Sequence, residues 1–173
     1  EVPTESVAGE NRFTLLNKEV VYDWTIEEVA YNVTSPYVTI GGTTGNDVIT
    51  LNGSKLTINN AVIDLTNVLE LTIDALSGDD RFLVLDTADW LDSVVLIGGS
   101  GADTVLAAGD NTWTITGPGE GNVTGAQLFA FAGVEDLTGG SGKDRFVFAN
   151  DDALIAGDVD GGDGSNTLDY FGR

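Results

Sequence analysis

A chain of 173 residues with 28 acidic and 7 basic side chains carries a formal charge of −21, and it contains no Cys, Met or His. That balance excludes recognition of nucleic acid through its phosphates and attachment to an anionic membrane surface, both of which need clustered Lys and Arg. The missing Cys and His exclude thiol catalysis, a Ser-His-Asp triad, a structural zinc site and haem ligation by His, and leave oxygen chemistry in which Asp and Glu meet hard cations such as calcium.

In chain order, residues 1–38 come first, mixed in charge and nearly free of Gly, with apolar residues at Phe13, Leu15, Leu16, Val20, Val21, Tyr22 and Trp24. They read as an N-terminal capping or subunit-joining segment, separate from residues 39–173. Within them, 25–31 is the best helix candidate, with Glu27 and Glu28 near its start, although Val29 and Tyr31 suit a strand as well. From Gly41 onward, short β-branched and aromatic runs are closed by Gly, Asp and Asn. They fall at 47–51, 55–58, 71–73, 82–85, 94–97, 112–115 and 145–148, and each predicts a strand.

A turn signature repeats between these runs. It is Gly42-Thr-Thr-Gly45-Asn-Asp47, Ser77-Gly78-Asp-Asp80, Gly98-Gly-Ser-Gly101-Ala-Asp103, Gly139-Gly-Ser-Gly142-Lys-Asp144 and Gly161-Gly-Asp-Gly164-Ser-Asn166, each followed by an apolar position. The carboxylate or amide that ends the signature is separated from the next by 33, 23, 41 and 22 residues. A coil of roughly 20 residues accounts for all four gaps if two turns lack the signature, and Asn59-Asn60 and residues 117–121 sit where those turns belong. A longer unit joins the signatures, with 42–85 and 98–148 running through turns and strands in the same order. Stacked units of this kind bury their apolar residues against neighbouring coils. The expected fold is therefore all-β, a parallel β-helix (β-solenoid) of about six to seven coils with an N-terminal capping segment. An antiparallel sandwich with Gly-rich loops is the alternative, and hairpin loops have no reason to repeat such a signature.

The copies at 98–106 and 139–147 fit Gly-Gly-x-Gly-x-Asp-x-apolar-x throughout and resemble the repeats-in-toxin calcium-binding nonapeptide, although they are not in tandem. The stretch from Phe129 to Phe148, with that from Ala156 to Tyr170, is similar to the repeat of very large bacterial surface and secreted proteins of the haemagglutinin- or adhesin-like kind. The resemblance covers residues 41–173 and implies an extracellular, repetitive, adhesive or matrix-forming role. It also implies calcium, held between turns of adjacent coils by carbonyls and Asp carboxylates. Only Asp80 with Asp103, and Asp144 with Asn166, stand one coil apart, and Asp79 and Asp163 add oxygens to the two pairs. Carboxylates stacked about 5 Å apart repel by on the order of 3 kcal/mol at an effective dielectric near 20, which an ion would relieve. The competing reading makes the same Asp and Asn residues caps that bond the backbone of tight turns. The acidic run Asp151, Asp152, Asp158, Asp160, Asp163 and Asp169 is a second divalent-ion region.

No enzyme is expected, since polysaccharide-cleaving β-helices need a long cleft with carboxylates and bases, and bases are few here. The Trp residues at 24, 90 and 113 are expected to pack or cap rather than stack sugars. The run from Leu168 to Arg173 begins a strand and stops, so either the chain is a fragment or this edge is covered by a further subunit, head to tail, a contact that does not close and generates filaments. The expected function is a structural, adhesive subunit of an extracellular bacterial fibre or biofilm matrix, possessing no nucleic-acid partner and no membrane-inserting segment. A calcium-dependent glycan-binding or stalk module of a large monomeric adhesin is the alternative.

Overall fold

A computed structural model describes residues 10–15, 18–23, 29–33 and 35–170. Among them the chain is all-β and contains no helix. All seven runs expected as strands coincide with strands. Part of the helix candidate is also a strand, because its backbone runs parallel to 61–64, and its residues 25–28 lie outside the described residues, as does Trp24.

The strands are β1 (Glu10–Leu15), β2 (Lys18–Asp23), β3 (Val29–Asn32), β4 (Tyr37–Gly41), β5 (Val48–Gly53), β6 (Lys55–Ile58), β7 (Ala61–Asp64), β8 (Glu70–Asp74), β9 (Arg81–Thr87) and β10 (Ser93–Ile97). They continue with β11 (Thr104–Ala107), β12 (Asn111–Gly117), β13 (Glu120–Gly125), β14 (Phe129–Ala132), β15 (Asp136–Thr138), β16 (Ser141–Gly142), β17 (Arg145–Phe148), β18 (Val159–Asp160), β19 (Asp163–Gly164) and β20 (Thr167–Tyr170). One sheet has the order β2-β1-β4-β8-β10-β14-β13-β12-β17-β20 and the second β18-β15-β11-β9-β5-β6-β7-β3, with β16 and β19 as a short separate pair. The N-terminal hairpin β1–β2 extends the first sheet through an antiparallel β1–β4 pairing, and β3 extends the second beside β7.

From β8 to β11 the chain crosses between the sheets at every strand, and each crossing lays a new strand parallel to the one before. Leu71 thus lies beside Val94, and Phe82 beside Val105. The same pairing sets Phe146 beside Leu168. The two sheets are nonetheless mixed, not parallel throughout. The strands β5–β6–β7 and β12–β13–β14 are antiparallel meanders, each confined to one sheet. The positions expected to be unsigned coil turns are the reversals inside these meanders. Asn59 turns the chain at φ 53° between β6 and β7, and Gly119 does so at φ 65° between β12 and β13.

For the same reason the two longer units do not match in space. After β5 the chain turns straight back at Gly53, whereas after β11 it crosses to the other sheet through Ala108-Gly109-Asp110. That crossing is held by Asn111, whose amide donates to the carbonyls of Ala108 (3.1 Å) and Gly109 (3.0 Å).

Alternation of buried and exposed positions along β4, β5, β8, β9, β10 and β17 points one face of each strand inward, as period-2 geometry requires. The inward residues of both sheets form one apolar core. Its register rows include Ile49, Phe82, Val105 and Leu137 across the second sheet, all buried. Burying side chains of this size contributes roughly 1.5–3 kcal/mol each before conformational entropy is counted. Trp113 fills the middle of the core, 5.4 Å from Phe146 in a stacked arrangement and 6.0 Å from Phe129 edge to face. Trp90, by contrast, is 42% exposed on the turn between β9 and β10.

Candidate functional site: the stacked acidic turns

From β4 onward each crossing turn delivers an acidic or amide residue just before, or at, the first position of the next strand. Asp47, Asp80, Asp103 and Glu135 precede β5, β9, β11 and β15, so the parallel pairing of those strands stacks them along one edge of the second sheet. The amide of Asp47 donates to Asp80 Oδ1 at 2.7 Å over a separation of 33 residues. The amide of Asp80 donates to Asp103 Oδ1 at 2.8 Å over 23 residues, and that of Asp103 to Glu135 Oε2 at 2.9 Å over 32. A second stack enters the first sheet. There the amide of Asn111 donates to Asp144 Oδ1 at 3.2 Å over 33 residues, and that of Asp144 to Asn166 Oδ1 at 2.9 Å over 22. The indole of Trp113 also donates to Asp144 Oδ1, at 3.3 Å.

The structure therefore brings Asp80 to Asp103 and Asp144 to Asn166, as the spacing suggests. It also brings together pairs that the spacing does not reveal. Asp47 touches Asp80 directly because the 33-residue gap holds one step of the stack plus a meander. The 41-residue gap from Asp103 to Asp144 is not a step at all, since those residues belong to different stacks. Their true neighbours, Glu135 and Asn111, lie outside the repeated signature. The flanking positions form an outer row with bonds in the opposite direction. Asn46 accepts from the amide of Asp79 (2.9 Å), Asp79 from that of Ala102 (3.0 Å) and Asp110 from that of Lys143 (2.9 Å). Asp163 is exposed, and its amide donates to the Gly140 carbonyl at 2.8 Å.

Amide side chains close the stacks. Asn59 Nδ2 donates to Asp47 Oδ1 at 2.7 Å, and the Thr43 amide donates to Asp47 Oδ2 at 2.7 Å. Gln127 accepts from the amide of Thr87 at 2.8 Å and donates to the carbonyls of Leu85 (3.3 Å) and Ala108 (3.2 Å), while its own amide donates to Asn111 Oδ1 at 2.9 Å. It is buried, so Gln127→Ala removes the partner of the Thr87 amide and of the Leu85 carbonyl, while the Ala108 carbonyl keeps its bond from Asn111 Nδ2. The expected loss is about 2–3 kcal/mol in a urea melt, against less than about 1 kcal/mol for an exposed cap such as Asn150→Ala.

The remaining oxygens behave differently. Oδ2 of Asp80, Asp103 and Asp144 is buried and has no hydrogen-bond partner. Each carboxyl is pushed above the ordinary carboxylate range, first by burial and then by neighbouring acids, Asp80 to about 6. In the turns at Asp103 and Asp144 this oxygen lies against the glycine five residues earlier, so that a Cβ added to Gly98 or Gly139 would stand 2.6 or 2.7 Å from it. Calcium takes about six to eight oxygens at roughly 2.3–2.6 Å. These inner carboxyls do not fit that shell, because Oδ1 is taken by a backbone amide and Oδ2 is closed in by its own turn. Among the described residues no three acidic side chains converge on one ion position. No protein-family model matches the chain, and neither a curated protein nor a solved structure shows significant similarity to it.

Proposed function

We propose that the chain is a β-solenoid module of about six to seven coils, with its N-terminal segment as cap, that serves as a structural and adhesive unit of an extracellular bacterial fibre or matrix and joins further copies head to tail. The strand-by-strand crossing between sheets supports the solenoid, the two meanders being insertions into single coils. One observation carries the assembly. The apolar position that follows each turn signature is buried at Ile49, Phe82, Val105 and Phe146 (1, 1, 0 and 2% exposed), whereas at Leu168 it is 55% exposed. Tyr170 on the same strand is also more than half exposed. An inward apolar position exposed on the last described strand is a surface that one more step of the stack would cover, and in the proposed assembly a second copy supplies that step. The net charge of −21 keeps such a module soluble until the contact forms.

The test is a concentration series by light scattering and electron microscopy, in EDTA and in millimolar calcium, with Leu168→Asp beside the unaltered chain. The expected result is linear growth of the unaltered chain with concentration and none for the variant. A monomer at every concentration in both buffers overturns the assembly. Growth that needs calcium and survives Leu168→Asp places the contact on the exposed acidic turns and overturns the end-on contact.

A further inference from the structure

We infer that Asp80, Asp103 and Asp144 become neutral carboxylic acids in mild acid, each then donating its own proton to the carbonyls of its turn, and that the stack is consequently a clasp that tightens as pH falls. The asparagines of the same stacks show what belongs at this place. Asn111 Nδ2 donates to the carbonyls of Ala108 and Gly109, and Asn166 Nδ2 donates to those of Gly162 (3.2 Å) and Asp163 (3.3 Å). Asn166 Nδ2 lies 2.6 Å from where a Cβ on Gly161 would be, and Asp103 Oδ2 lies 2.6 Å from the equivalent point on Gly98. The two atoms therefore occupy the equivalent corner of equivalent turns. At Asp47 the oxygen in the equivalent corner accepts from the Thr43 amide at 2.7 Å. At Asp103 and Asp144 no donor among the described residues reaches that oxygen, so it either carries a hydrogen and donates, as the amide does, or sets a negative charge against carbonyl oxygens with no solvent to screen it.

The charged groups around the three carboxyls add no relief. Asp80 faces Asp47 on one side and Asp103 on the other; Asp103 faces Asp79 and Asp80 on one side and Glu135 on the other. Asp144 faces Asp110 and Asn111, with the Trp113 indole beside it and Asn166 on the next step. The cations next in sequence, Arg81, Lys143 and Arg145, are all exposed, and Arg145 pairs with Asp169. A carboxyl whose folded pKa lies above its unfolded value binds more protons in the folded chain. Its stabilising share is present in full below the unfolded value, 3.8, and is lost as pH rises through the folded value, about 6 for Asp80.

The experiment compares thermal melts of the full chain in EDTA between pH 4 and 8 with those of the triple variant Asp80→Asn, Asp103→Asn, Asp144→Asn. A charge-matched control carries Asp89→Asn, Asp92→Asn and Asp152→Asn, all at exposed positions. The stack variant is expected to melt about 5–10 °C above the unaltered chain at pH 7.5 and to lose most of the decline between pH 4 and 7, while the control retains that decline. Conversely, Asn111→Asp is expected to lower the melting temperature at pH 7.5 and to recover in acid. In the unaltered chain, carbon-13 titration of the Asp carboxyls should find three that deprotonate above the ordinary Asp value, Asp80 at about 6, and this measurement stands whether or not the variants fold. A full set of ordinary carboxylates overturns the inference. So does a stack variant that melts lower at pH 7.5 and loses a calcium response that the unaltered chain has.

Discussion

Replacing Trp113 with Ala is expected to remove about 4 kcal/mol of stability, the largest loss from any single core truncation in this chain. The side chain is fully buried and is the largest in the core. It lies at the junction of three strands, on β12 with β13 and β17 to either side. Its ring meets Phe146 and Phe129 and, at 6.2 Å, Phe131 on β14. The turns above and below are stacked through backbone bonds and cannot collapse into the space, so most of the cavity persists. Far-UV circular dichroism during urea unfolding measures the effect, and a Tm about 10 °C lower is the thermal counterpart for a chain of this length. Trp113→Phe separates packing from polarity. It keeps a ring in place but strips the indole donor from Asp144, so a loss of about 1–2 kcal/mol is expected. An alanine variant within 1 kcal/mol of the unaltered chain would show that the aromatic cluster does not organise the first sheet.

The strands were legible because their signal is local. Alternating β-branched and aromatic residues at 47–51, 82–85 or 145–148 state a half-buried strand without reference to anything distant. Which strand lies beside which was not legible, because a gap of 33 residues is consistent with two coils or with one coil and a meander. The discriminating residues are few. Asn52-Gly53 is a hairpin dipeptide, and Gly53 indeed turns the chain at φ 58°. Pro118-Gly119 gives a similar hint before the β12–β13 reversal. Weighing these against the repeat would have separated the two gaps of normal step length from those that contain a meander.

At the turns, the repeated Asp marked the right positions but concealed the bonding. An Asp that caps the preceding turn's backbone and an Asp that holds an ion have the same sequence spacing, and only the fate of the second oxygen distinguishes them. Glu135 and Gln127 were illegible for another reason. A longer side chain reaches the same neighbouring amide from a backbone placed differently, so neither lies in a Gly-x-Asp signature. The residues Gly133 to Leu137 read as a strand, and the strand there begins only at Asp136, leaving Glu135 in the turn.

The glycines of the signature make the sharpest prediction, because two in equivalent places should behave oppositely. Gly45 and Gly101 each stand two residues before the inward Asp of their turns, Asp47 and Asp103. Among the described residues, a Cβ on Gly45 would meet nothing closer than Thr43 Oγ1 at 3.9 Å. A Cβ on Gly101 would lie 1.9 Å from the Gly78 carbonyl oxygen, and its φ of 139° is one that residues with a side chain rarely adopt. The asymmetry follows from order in the stack, since Gly101 rests on the turn at Gly78, whereas among the described residues no earlier turn lies against the Cβ position of Gly45. Gly45→Ala is accordingly expected to fall within about 0.5 kcal/mol of the unaltered chain, with a small gain if the unfolded state is restricted. Gly101→Ala has to adopt a strained backbone and also push two turns apart, and should lose about 3–5 kcal/mol in the same urea melt. Equal losses at the two positions would mean that the signature serves something common to every turn, such as an ion. Unequal losses make glycine the requirement for laying one turn on another. On that basis Gly164, at φ 95° and with a Cβ position 1.9 Å from the Gly142 carbonyl oxygen, is required for the same reason, whereas the next turn to be added would place the demand on its own glycine and not on this one.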